Sequence, residues 1–107
     1  ANNRSIVTKE QFLLAILWIC KSKKKSVWYK DDLILELYKF FKRIDHKYTP
    51  LTLRTIEYKI YKLAKTTKYL KLYPSLFYYN PFFPKTKRYM VSVNTILIER
   101  DLVYGKI

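Results

Sequence analysis

The apolar positions of this chain follow two different rhythms. From Phe12 to Cys20 and again from Leu33 to Ala64 they recur at helical spacing, three or four residues apart. A first helix is predicted to start near Thr8. Thr8 and Gln11 have the spacing of a capping box, and Val7 with Phe12 that of a hydrophobic staple. Phe12, Leu13, Ile16, Leu17, Ile19 and Cys20 make its apolar stripe. Lys21 and the run Lys23-Lys24-Lys25 suit the negative end of its dipole. Ser26 to Lys30 is short, β-branched and aromatic, which favours a one-rung strand. Asp31 or Asp32 is the expected N-cap of a second helix. Leu33, Leu37, Phe40, Phe41 and Ile44 line one side of that helix, and Glu36, Lys39, Lys42 and Arg43 the other. Asp45 to Tyr48 is a polar turn. Thr49-Pro50 reads as the start of a third helix, with Thr52 as a second candidate cap. Leu53, Ile56, Ile60, Leu63 and Ala64 form its inner stripe, so it should run to about Thr66.

Beyond that point the period shortens to two. Tyr69 to Tyr73 alternates and Pro74 closes the run. Ser75 to Lys87 is aromatic and broken by Asn80-Pro81 and Pro84, and Arg88 to Val93 alternates again. Two such runs around a polar-tipped loop predict a long hairpin. Asn94 or Thr95 should cap a short last helix carrying Ile96, Leu97, Ile98, Leu102 and Val103. The expected order is helix, strand, helix, helix, strand, loop, strand, helix. That is an α+β chain, with residues 1–107 forming one domain.

This order resembles the winged-helix family. The residues carrying the likeness are Thr49 to Tyr73, TPLTLRTIEYKIYKLAKTTKYLKLY, which look like that family's recognition helix running into its first wing strand. The resemblance implies a winged helix-turn-helix: a three-helix core, a β-hairpin wing from Pro74 to Arg88 with Tyr89 to Val93 as its second strand, and a C-terminal helix. It also implies double-stranded DNA as partner. Many members place a Gly between recognition helix and wing. Here that joint is Thr67-Lys68-Tyr69, which must turn without a left-handed residue or accept strain. The bias toward Lys, Tyr and Ile is similar to that of small regulators from crenarchaeal viruses and plasmids.

Charge sharpens this picture. There are 22 Lys and Arg against 8 Asp and Glu, a formal net charge of +14. Such an excess repels itself in the folded state, and a polyanionic partner (DNA, RNA or an anionic membrane) is the simplest account of it. A basic surface kept for solubility is the plainer alternative. At about 100° per residue, Arg54, Thr55, Tyr58, Lys62 and Lys65 fall opposite the inner stripe of the third helix, with Lys59 at the edge and no acid among them. In a major groove Arg54 and Thr55, early in the helix, would reach base edges. Tyr58, Lys59, Lys62 and Lys65 would contact phosphate. Lys85, Lys87 and Arg88 give the hairpin a basic tip. Its aromatics, Phe77, Tyr78, Tyr79, Phe82 and Phe83, are better suited to packing than to water. Lys23, Lys24 and Lys25 are further candidate phosphate contacts, or simply a solvated helix end.

Composition excludes other classes. Half the residues are hydrophobic and there is one Gly, so neither a disordered chain nor a Gly-rich phosphate loop fits. Cys20 and His46 are single, so no disulfide and no multi-Cys/His zinc site forms within the chain, and a reducing, intracellular setting follows. Phe12 to Cys20 is too short to span a bilayer and lacks a signal-peptide cleavage site. No catalytic constellation, cofactor or metal site is expected. The leading expectation is sequence-specific duplex binding by a transcriptional regulator, with a homodimer through the segment Ile96 to Val103. The alternatives are a replication or packaging module that holds DNA or RNA non-specifically, and a peripheral membrane or protein-interaction domain. A membrane binder would ring Phe77 to Phe83 with lysines. A DNA binder would gather them on the face of the third helix.

Overall fold

The computed structural model describes residues 6–44, 51–75 and 88–107. Its elements follow the expected order: α1 (Lys9–Lys23), β1 (Val27–Tyr29), α2 (Lys30–Arg43), α3 (Leu53–Thr66), β2 (Leu70–Pro74), β3 (Tyr89–Val93) and α4 (Thr95–Val103). The three strands form an antiparallel sheet in the order β1-β3-β2. Among the described residues the chain is thus α+β, four helices against a small sheet.

The start of α1 is as the sequence predicts. The Gln11 N–H donates to Thr8 Oγ1 at 3.1 Å, and Gln11 Oε1 accepts from the Thr8 N–H at 2.9 Å. The two bonds satisfy two of the helix's orphan donors reciprocally. All six residues of the predicted stripe are buried. At its other end α1 turns on Lys24, a non-glycine residue in the left-handed region at φ 53. The Lys25 N–H then donates to the Cys20 carbonyl at 3.0 Å.

The second helix starts earlier than predicted. Its N-cap position is Tyr29, whose side chain makes no capping bond, and Asp31 and Asp32 lie in the first turn. The β1 backbone runs directly into the helix, so no extra residue is left to cap it. The two carboxylates act there through their charge, at the positive end of the dipole. In α3 the cap is Thr52, whose Oγ1 accepts from the Thr55 N–H at 3.1 Å. Thr49 and Pro50 lie outside the described residues, as does His46.

Leu53 departs from its expected place. It is 49% exposed, while Ile56 and Ile60 are fully buried and Leu63 nearly so. As the first residue of the helix it precedes the turn that packs, and it borders a surface cleft with Asp31, Leu35 and Arg54. The core is built by Phe12 and Ile16 of α1, Leu33 and Leu37 of α2, Ile56 and Ile60 of α3, Leu70 and Val91 of the sheet, and Ile98 of α4. Inward positions on the sheet alternate at period two: Trp28, Val91 and Leu72 share one rung, and Leu70 with Val93 the next. Pro74 is the last residue of β2, an edge strand, where the absence of an N–H is tolerated. The last helix buries Ile98 and leaves Ile96 and Val103 exposed, so it closes the core of its own chain.

The joint between α3 and β2 turns without a glycine and without strain. Thr67 has extended geometry, φ −135 and ψ 170. Its hydroxyl donates to the Leu63 carbonyl at 2.6 Å and accepts from the Tyr69 N–H at 3.2 Å. Thr66 Oγ1 donates to the Lys62 carbonyl at 2.7 Å. The Leu63 carbonyl also accepts the Thr67 N–H at 2.9 Å, so the two threonine hydroxyls bond back onto the last turn of α3 and fix the chain where it leaves the helix. Below the joint, Ser75 N–H donates to the Arg88 carbonyl at 2.8 Å and extends the β2–β3 ladder by one bond.

Candidate nucleic-acid interface

Five lysines recur at every third position from α3 into the sheet: Lys59, Lys62, Lys65, Lys68 and Lys71. A step of three residues turns a helix by about 300°, so such a row winds back around it by roughly 60° per step. The row therefore starts beside α1 and ends over β2. Lys59 is half-buried, with its ammonium 5.9 Å from the ring centre of Phe12 in α1. Lys62 borders clefts on both sides of the helix. Lys65, Lys68 and Lys71 border the groove between α3 and β2. No acid occurs between Glu57 and Glu99 in the sequence.

That groove is shallow and open to solvent, with a volume of about 820 Å³. Tyr58 and Tyr61 of α3 form one wall, Leu70 and Leu72 of β2 line it opposite, and Lys62, Lys65, Lys68 and Lys71 border it. None of these four lysines has an ion-pair partner among the described residues, where the acids pair instead as Lys21–Glu99, Lys30–Glu57 and Arg100–Asp101. Unneutralised ammonium groups along one edge give a positive potential that salt screens only beyond about 10 Å.

The residues expected to read bases fall on the same helix. Arg54, Thr55, Tyr58, Lys62 and Lys65 are all exposed. Thr55 is partly committed, because its hydroxyl shares a 2.9 Å hydrogen bond with Thr52 Oγ1. Arg54 lies at the N-terminal end, beside Asp31 and Glu57.

One half-buried lysine fixes the attitude of this face. Lys30, the first residue of α2, has a side chain only 13% exposed. Its ammonium meets Glu57 Oε2 at 3.1 Å and donates to the Tyr61 hydroxyl at 3.3 Å, and it sits 5.0 and 5.5 Å from the ring centres of Tyr61 and Tyr89. Burial alone would lower its pKa, but the hydrogen bonds and charge of Glu57 and Tyr61 outweigh that and raise it above the ordinary lysine value. Lys30 thus stays charged and ties α3 to both the α2 start and the central strand. Nearby, the Arg88 guanidinium stacks 4.0 Å above the Tyr29 ring.

The structure does not gather every predicted residue. Lys85 and Lys87, with the aromatics Phe77 to Phe83, lie outside the described residues. Lys23, Lys24 and Lys25 are exposed at the end of α1, about 20 Å along the helix axis from Lys9, which borders a cleft with Lys59 and Lys62. Lys25 instead lies 4.5 Å from the Trp28 ring centre. Conversely, sequence reasoning passed over Lys30, Tyr61, Lys68 and Lys71. The three-residue lysine period was the available signal for the last two. Nothing local marks Lys30, whose partners lie in other elements.

Cys20 is buried, and desolvation pushes its thiol pKa up despite a smaller opposing hydrogen bond with Trp28. It is thereby kept from the thiolate form a nucleophile needs. Among the described residues no helix is long and apolar enough to cross a membrane. Comparison of the chain with protein-family models, with curated proteins and with solved structures finds no match.

Proposed function

We propose that this protein binds double-stranded DNA as a winged helix, with α3 as the recognition helix in the major groove and the β2–β3 hairpin as the wing, and that it acts as a transcriptional regulator. The observation that carries the reading is the acid-free lysine row, without ion-pair partners among the described residues, that crosses from the exposed face of α3 onto β2. Phosphates lie along a duplex as a continuous line of charge, and a continuous line of ammonium groups is its complement. Arg54 is the second residue of α3, early recognition-helix residues are the ones that meet base edges, and its planar fork suits guanine. Lys62, Lys65, Lys68 and Lys71 border one groove beside α3, which supports a DNA binder, while Phe77 to Phe83, around which a membrane binder would gather its lysines, lie outside the described residues.

A second reading keeps the DNA and drops the sequence choice. Lysine acts on phosphate as a point charge, and the row contains five lysines, three of them on α3, where Arg54 is the one arginine. That balance favours a module that holds duplexes irrespective of sequence, as in replication or packaging.

Both readings meet the same first test. Duplex affinity is measured by fluorescence anisotropy between 50 and 200 mM salt. A footprint of about six to ten phosphates lowers the affinity roughly 10³- to 10⁵-fold over that range. A nearly flat response overturns both. Selection from random duplexes then separates them: an enriched motif supports the regulator, and no enrichment supports the non-specific holder.

A further inference from the structure

The groove between α3 and β2 has a border and a floor of different chemistry. The border is cationic, formed by Lys62, Lys65, Lys68 and Lys71. The floor, the apolar part of the lining, comes from Leu72, which is half-buried, with Leu70 of the core behind it. Phosphate satisfies the border and leaves the floor uncovered. Beside that floor stands Tyr58, 65% exposed, with no hydrogen-bond or ring partner among the described residues. Its neighbour Tyr61 differs, because Lys30 occupies both its hydroxyl and a ring face. One free aromatic face, an apolar floor and a cationic border are the three components of a site that stacks an unpaired base. The volume, about 820 Å³, falls within the range of small-molecule sites, roughly 300–1,000 Å³. In a fully paired duplex every base face is already stacked, so the floor and Tyr58 have nothing to bind.

We propose that the α3–β2 groove receives one unpaired nucleotide of a DNA strand, its base against Tyr58 and Leu72 and its phosphates on the lysine border. The proposal rests on α3 facing DNA. It adds that a duplex carrying an extrahelical nucleotide is preferred over a uniform one. The remainder of the duplex stays on the exposed face of α3, and the row Lys62 to Lys71 conducts one strand from that face into the groove.

Three labelled duplexes of one sequence test this by fluorescence anisotropy: fully paired, with a single-nucleotide bulge, and with the same bulge abasic. The bulged duplex is expected to bind about 5- to 150-fold tighter than either of the others, the worth of one stacked base. Tyr58→Ala brings that ratio to about one, while Tyr58→Phe, which keeps the ring, preserves it. Tyr58 is exposed, so both variants should fold, and far-UV circular dichroism verifies this. Equal affinity for the abasic and base-containing bulges overturns the proposal. If the paired duplex still shows its steep salt dependence, duplex binding by α3 stands; if that is lost as well, both fall. A free mononucleotide that displaces the bulged probe at the probe's own concentration would assign the groove to a free nucleotide and overturn the strand-borne site.

Discussion

The Tyr69 hydroxyl donates a 2.6 Å hydrogen bond to Asp101 Oδ2, joining the turn after α3 to the last helix across 32 positions of sequence. Both residues are buried, and Arg100 Nε holds the other carboxylate oxygen at 3.1 Å. The bond sits directly behind the joint that steers the lysine row from helix to strand. Asn94 N–H adds a second tie, donating to the Tyr69 carbonyl at 2.8 Å. The short C-terminal helix therefore anchors the α3–β2 turn as well as closing the core with Ile98.

That bond gives stability two pH edges. The Tyr69 hydrogen bond is the main cause that holds the Asp101 carboxyl below its usual 3.8, and burial only partly opposes it. A carboxylate whose folded pKa is depressed adds stability above its unfolded value and loses it as pH falls through the lower, folded one. The same bond raises the Tyr69 phenol above its usual 10.0. Its contribution is complete below that value and is lost as pH climbs through the raised one. Thermal unfolding should thus show a falling Tm on acidification from about pH 4 and on alkalinisation from about pH 10. Tyr69→Phe should abolish the share of the alkaline edge due to this phenol and shrink the acid edge. Unchanged edges in that variant would show that the pair does not couple to folding.

Arg54 and Lys71 should fail differently. Arg54→Ala is expected to cost on the order of 1–3 kcal/mol on a preferred duplex and to relax sequence choice. Lys71→Ala should weaken all duplexes alike and lower the slope of log affinity against log salt by about 1. Parallel titrations on a selected and a scrambled duplex check both. Equal loss from Arg54→Ala on the two duplexes would place Arg54 among the phosphate contacts.

Lys24 offers a stability test free of the interface. Its φ of 53 costs a side-chain-bearing residue roughly 1–2 kcal/mol. Glycine avoids that cost and gives back part of it as unfolded-chain entropy. Lys24→Gly should then stabilise the protein by about 1 kcal/mol in urea unfolding, with an unchanged m-value. A destabilised variant would mean that the Lys24 side chain makes a contribution larger than its backbone strain.

Much of this arrangement was legible in the sequence because it is local. The Thr8–Gln11 box, the stripe from Phe12 to Cys20, the end of α3 at Thr66 and the alternation of β3 all follow from neighbours within one turn or one strand. The exposed face of α3 followed from periodicity alone. What the pattern missed depends on distant partners. Lys30 acquires its role from Glu57, Tyr61 and Tyr89, and Asp101 from Tyr69. Asp31 and Asp32 have the chemistry of a cap, but the strand before them left no room for one. The glycine-free joint could not be read because Thr67 carries the turn in extended geometry, its hydroxyl bridging the Leu63 carbonyl and the Tyr69 N–H, and composition does not say which route the backbone takes.

The rotation of α3 about its axis decides which residues face DNA, and two truncations measure it. Ile56 is fully buried and Leu53, three residues earlier on nearly the same side, is half exposed. Ile56→Ala removes core volume and should cost about 2–5 kcal/mol. Leu53→Ala removes a side chain that is already half in water at the surface and should cost well under ~2 kcal/mol, about 0.5 kcal/mol. Urea unfolding of the two variants checks the contrast. Comparable losses would mean that α3 is turned so that Leu53 packs inward. The face carrying Arg54, Tyr58 and Lys62 would then rotate with it, and the groove with β2 would no longer be bordered by the lysine row.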